Sequence, residues 1–157
     1  MKRSLLTSFL AAALLIGGSS VMFTACESDD YWPYNPPSGW GENYFYDSRL
    51  SGEWELAQAN SQTVGTYDTN YMDFYGNGHG RYYYYSNSRP YSEDMAYFCQ
   101  RSDSSTSKYQ INVQYEDGSS STMSYWFTDG DNSLWLQWMA GGQTVVYVYK
   151  RVSSIPW

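Results

Sequence analysis

The chain has 157 residues, a formal charge of -7 and a pI of about 4.4, a length that supports one domain. Nine Lys and Arg against 16 Asp and Glu exclude a nucleic-acid partner, because binding a phosphate backbone needs clustered cations. Seven Trp, 18 Tyr and 6 Phe, 20% of all residues, exclude a wholly disordered chain, since burying such side chains offsets the entropy of ordering.

Residues 1–25 read as a signal peptide. Lys2 and Arg3 form a positive start, Leu5 to Met22 is largely apolar around Leu14, Leu15 and Ile16, and Phe23-Thr24-Ala25-Cys26 closes the run. The run has the length of a secretory apolar segment and lacks flanks suited to a permanent span. A small residue directly before a cysteine resembles the lipobox of bacterial lipoproteins. That resemblance implies that Cys26 becomes the first mature residue and carries acyl chains such as palmitate; plain secretion after Ala25 is the alternative. Glu27, Ser28, Asp29 and Asp30 follow, an acidic run that resembles the surface-export signal of Bacteroidota lipoproteins, with a solvated acidic spacer as the alternative. The implied location is the outer membrane, lipid-anchored and exposed at the cell surface, or else its periplasmic face.

Cleavage there removes two cations and leaves Cys99 without an intrachain partner. A domain outside the cytosol without a disulfide must be held by its core or a metal. One histidine, His79, and no cysteine cluster leave no structural metal to expect. Residues 26–48 read as a tether, semi-stiff where Pro33, Pro36 and Pro37 crowd. Its aromatics, Tyr31 to Tyr46, are numerous for a spacer, and packing back onto the domain or touching lipid headgroups is their simplest role.

The domain, residues 49–157, shows short segments rich in Tyr, Trp, Val and Thr between Gly, Asn, Asp and Ser clusters, the pattern of strands. The first runs from Glu53 to Ala59, with Trp54 and Leu56 on one face. The second is Tyr71 to Tyr75, and Gly76-Asn77-Gly78 makes a tight turn into a third, Arg81 to Tyr85. The fourth, Asp94 to Arg101, carries apolar residues on both faces. In the fifth, Tyr109, Ile111, Val113 and Tyr115 alternate with polar residues, as in a sheet with one wet face. Asp117-Gly118 leads to the sixth, with Met123, Tyr125 and Phe127 on one face. The seventh places Leu134, Leu136 and Trp138 together, and Gly141-Gly142 leads to the eighth, Thr144 to Val152. Eight antiparallel strands with short connections predict an all-β, up-and-down barrel, because closure removes unpaired edges. A two-sheet β-sandwich is the alternative.

The segment Leu50-Ser51-Gly52-Glu53-Trp54 carries the Gly-x-Trp pattern that opens lipocalin barrels. Together with the closing Tyr149-Lys150-Arg151-Val152 it resembles small lipocalin-like lipoproteins of Bacteroidota over about residues 50–153. The resemblance implies that Gly52 and Trp54 close one end of the barrel against a basic residue of the last strand, Arg151 or alternatively Lys150. The chain departs from that family in lacking a C-terminal helix and a disulfide, which puts a deep ligand cavity in doubt.

Catalysis is not expected. A nucleophilic triad needs a base, and His79 falls in the Gly-rich turn. Cys99 falls in a strand, where a buried, inert thiol is the default. No spacing pairs Glu53, Glu55 and Asp73 as a glycosidase would require. No cofactor is implied. Binding is better supported: Tyr82 and Tyr84 point inward if Arg81 faces solvent, and Tyr109, Tyr115, Tyr125 and Trp138 line the same interior. These side chains would make an amphipathic pocket for a small hydrophobic or glycan-like ligand. The alternative is that they fill the barrel and that Tyr83, Tyr85, Trp126 and Trp135 form outer aromatic stripes, suiting a structural module with an envelope protein partner. The remaining partner is the lipid bilayer, through Cys26.

Overall fold

The computed structural model describes residues 44–65, 68–101 and 108–156. The expected signal peptide, Cys26 and tether residues 27–43 lie outside the described residues. Ten strands follow in chain order: β1 (Tyr44–Phe45), β2 (Gly52–Ala59), β3 (Gln62–Thr63), β4 (Asn70–Phe74), β5 (His79–Ser86), β6 (Arg89–Arg101), β7 (Tyr109–Tyr115), β8 (Ser120–Thr128), β9 (Ser133–Ala140) and β10 (Gln143–Val152). They form one antiparallel sheet in the order β1-β6-β5-β4-β2-β10-β9-β8-β7, and a further β6–β7 pairing joins the two ends. Eight strands, β2 and β4 to β10, therefore make a closed, calycin-like up-and-down barrel, with β1 and β3 attached outside the ring. Closure decides for the barrel over the sandwich.

The pivot of closure is β6. Its 13 residues pair with β5 from Arg89 to Ala96 and with β7 from Met95 to Arg101. Beyond Ala96 its β5-side edge would be bare, an invitation to foreign strands. Tyr97 N–H instead donates to Gly78 O at 2.7 Å, and β1 pairs Phe45 with Cys99 and Tyr44 with Gln100. The end of the expected tether thus pairs onto the barrel from outside the ring, with Tyr44 edge-on to Phe98 and Tyr46 edge-on to Tyr97.

Turn chemistry accounts for most strand ends. Asn60-Ser61 and Asn87-Ser88 take positive φ at both positions, as two-residue hairpins require. Asn87-Ser88 sets the start of β6 at Arg89, five residues earlier than the hydrophobic pattern indicates. Between β4 and β5 it is Gly76 and Gly78, at φ 78° and 89°, that turn the chain. Asn77 instead accepts from His79 N–H on Oδ1 at 3.1 Å, so this turn is wider than the tight Asn-Gly hairpin expected. In β2 the register slips opposite Val148 and Tyr149, pairing them with Gln58 and Leu56. This bulge at Ala57 exposes Gln58 and buries Ala59, where strict alternation would do the reverse.

One end of the barrel is plugged. Trp54 is fully buried and its Nε1–H donates to Leu50 O at 2.7 Å. The Arg151 guanidinium lies 4.2 Å from the centre of its ring and donates to Ser51 O and Arg49 O, both at 2.7 Å. Gly52 completes the cap, because a Cβ there would come within 2.8 Å of Arg151 Nη1. Lys150 points away, to Asp129 and Ser133.

Asp47 ties β1 to this plug. Its side chain is only 6% exposed and accepts from Arg49 N–H, from the Arg49 guanidinium and from Tyr125 O–H at 2.9 Å. Burial alone would push the carboxyl up, but the Arg49 and Tyr125 hydrogen bonds outweigh it and hold the pKa below the usual carboxylate value. A depressed carboxylate contributes stability above its unfolded pKa and loses it as pH falls through the folded pKa. Acid is therefore expected to weaken the wild-type fold as pH drops below about 4. Asp47→Asn should cost about 2 kcal/mol at pH 7 and flatten that acid limb, read from urea midpoints across pH. Parallel limbs in the two proteins would rule out Asp47 as the cause.

Candidate functional site

The opposite end is aromatic. Alternation along β5 turns Tyr82 and Tyr84 inward, with Tyr83 and Tyr85 outward. Tyr82 and Tyr84 stack at 5.4 Å between ring centroids, and Tyr84 stacks on Tyr91 of β6 at 5.8 Å. Tyr82 is buried, Tyr84 partly buried and Tyr91 46% exposed, so the column runs from the core to the rim. Tyr115 meets Tyr82 edge-on at 5.7 Å. Across the mouth, Trp138 packs edge-on against Tyr147 at 4.7 Å. Below them Tyr149 O–H donates to Asn70 Oδ1 at 2.6 Å. Burial pushes the phenols of Tyr82, Tyr115 and Tyr149 far up, so their hydroxyls stay neutral at physiological pH. The Glu93 carboxyl, half-buried among them, is raised by burial and then by Asp117 and Glu116.

The six predicted ligand residues therefore divide between the two ends. Tyr82, Tyr84, Tyr115 and Trp138 gather at the mouth. Tyr125 is buried at the plugged end on Asp47, and Tyr109 packs there against Phe45 and Tyr125, both at 5.7 Å. Shared parity put all six inside the barrel, but parity does not report height along it. The mouth also holds Tyr91, Glu93 and Tyr147. Tyr91 and Glu93 lie in the stretch of β6 that Arg89-Pro90 disguises as loop, since proline in a strand suggests an edge; the Asn87-Ser88 pair was the available signal.

Beside the mouth the wall is parted. The β8–β9 ladder ends at Ser124 and Gln137 although both strands continue, and a cleft of about 520 Å³ lies between them. Its inner wall includes Met123 and Trp138, its outer lip Gln110, Thr122, Ser124 and Gln137. A second hollow of about 260 Å³ on the outer surface sits over Arg81 and Asp94, which pair with each other at 2.7 Å. The outer aromatics Trp126 and Trp135 stack at 5.6 Å and are partly exposed, with Lys108 Nζ 4.3 Å above Trp126. Cys99 is buried at the plugged end and burial pushes its thiol up to about 11, so it is no nucleophile at neutral pH. Among the described residues no cluster of His, Cys, Asp and Glu could hold a metal ion.

Compared with protein-family models, curated proteins and solved structures, the chain gives no match to any of them.

Proposed function

We propose that this chain is a non-catalytic, lipocalin-like lipoprotein of the cell envelope, anchored through acylated Cys26 at the outer-membrane surface, whose barrel binds a small apolar or glycan-like ligand. The observation that carries the reading is the tyrosine column at the mouth: stacked rings run from the buried Tyr82 to the exposed Tyr91. Tyrosine presents a broad apolar body and a hydroxyl, and loses little rotamer entropy on binding. The plugged end leaves the mouth as the entrance. The lipobox-like Thr24-Ala25-Cys26 and the acidic residues after it support the anchor.

Titrating the full chain with N-phenyl-1-naphthylamine as an apolar probe and with maltose as a neutral sugar tests the reading by fluorescence. Saturable binding of either is expected, weakened about tenfold by Tyr84→Ala. Saturation by neither sinks the ligand-binding claim. Radiolabelled palmitate should enter the wild-type chain and not Cys26→Ser; equal labelling removes the anchor.

A further inference from the structure

The parted wall has a chemistry of its own. Continued in register past Ser124 and Gln137, Thr122 would face Met139 and Ser120 would face Gly141. Antiparallel ladders direct alternate residues to alternate neighbours. Ser121 and Met123 bond toward β7 and Trp138 toward β10, in step with the hairpin contact of Tyr115 N–H to Ser119 O. The main-chain N–H and C=O of Thr122 and Met139 therefore point into the gap, where neither has a strand partner across it.

The side chains on the lip are polar, and their hydrogen bonds are already oriented. Thr122 O–H donates to Asn112 Oδ1 at 2.6 Å, which leaves its oxygen free to accept. Gln137 Oε1 accepts from Lys108 Nζ at 3.1 Å, which leaves its Nε2 group to donate. Gln110, Ser120 and Ser124 add further neutral groups, and no residue lining the cleft is charged. Trp138 supplies an aromatic wall at the inner side, braced by Tyr147.

We propose that the cleft between β8 and β9 binds a small uncharged carbohydrate. Sugar hydroxyls donate and accept at neighbouring positions, as the paired Thr122 oxygen, Gln137 amide and gap-facing main chain require. The C–H face of a pyranose matches the indole of Trp138. An apolar chain would strand those donors and acceptors without water, and a site built for hydrogen bonds rejects ligands lacking them. No lining residue offers an ionic ligand a counter-charge, and Lys108 beside the lip is already engaged by Gln137 Oε1 and the Trp126 ring. A volume of about 520 Å³ falls within the range of small-molecule sites. The inference rests on the ligand-binding reading above, places the ligand in a cleft that shares Trp138 with the mouth, and narrows its class from apolar-or-glycan to neutral glycan.

The test is a titration of the 15N-labelled full chain with maltose, cellobiose, lactose and chitobiose, and separately with laurate, following backbone amides. At least one sugar should shift the amides of Thr122, Ser124, Gln137 and Met139 saturably, with laurate leaving them unmoved. Thr122→Val and Gln137→Ala should each weaken that sugar about fivefold to tenfold while the remaining amides keep their positions. Laurate shifting the cleft amides overturns the glycan assignment and leaves the small-ligand reading standing. Sugar shifts confined to the Trp126 and Trp135 face overturn it as well. Silence from all five probes overturns both.

Discussion

Trp54→Ala should cost about 3–5 kcal/mol of folding stability, the largest single-residue loss expected in this chain. The indole is fully buried, so its removal leaves a cavity that closed strands on either side cannot collapse to fill. Two further contacts go with it. Leu50 O loses its donor, and the Arg151 guanidinium loses the ring beneath it, 4.2 Å away, while remaining fixed to Ser51 O and Arg49 O. Trp54→Phe separates these effects, since it keeps most of the volume and the ring face but not the N–H; a loss of about 1–2 kcal/mol is expected. Urea unfolding followed by far-UV circular dichroism gives both values. A Trp54→Ala protein within 1 kcal/mol of wild type would mean that the plug does not hold this end.

Most of the barrel is legible in the sequence because its signals are local. In β7 the alternation of Tyr109, Ile111, Val113 and Tyr115 with polar residues fixes both the strand and its inner face. The Asp117-Gly118 and Gly141-Gly142 turns mark their hairpins for the same reason. What alternation cannot carry is the pairing that closes the ring. β6 leaves β5 for β7 around Met95 and Ala96, and a strand packed on both sides of its edge looks like any other strand with two apolar faces. The added strand β1 is hidden because Tyr44-Phe45 is too short for a periodic signal; only its Phe45–Cys99 pairing reveals it. The bulge at Ala57 escapes too, since Gln58 looks inward-facing until the Val148 register slip is known.

The site is less legible than the fold, and the reason is geometric. Tyr82, Tyr84, Tyr109, Tyr115, Tyr125 and Trp138 share the inner face by parity alone, but shear between strands sets their heights, and shear follows from long-range register. That is how Tyr109 and Tyr125 come to lie with Asp47 at the plugged end. The cleft is fainter still. Ser119-Ser120-Ser121-Thr122 reads as a weak polar strand start, and nothing local says that β9 turns from it after Gln137. Lys108 and Asn112 orient the lip from β7 and its approach, contacts that only the closed barrel creates.

Gly80→Ala is the second large loss expected, and it tests how the wall is built beneath the tyrosine column. Gly80 faces Phe74 of β4 and Met95 of β6 at once. A Cβ at this position would run into the Asp73 carbonyl oxygen and come within 2.7 Å of Met95 Cε. The methionine can swing aside, but the carbonyl belongs to the β4–β5 ladder, where Asp73 pairs with Arg81, so relief means pulling the strands apart. Overpacking of this kind costs about 3 kcal/mol. Gly118→Ala is the comparison: its φ of 83° disfavours a side chain, yet nothing lies within 4 Å of the added Cβ, and about 1 kcal/mol of backbone strain is all it should lose. Urea midpoints for the two variants should therefore differ clearly, with Gly80→Ala the weaker protein. Equal midpoints would show that β4 and β5 yield at Asp73, and that the mouth above them is built on a softer wall than its packing indicates.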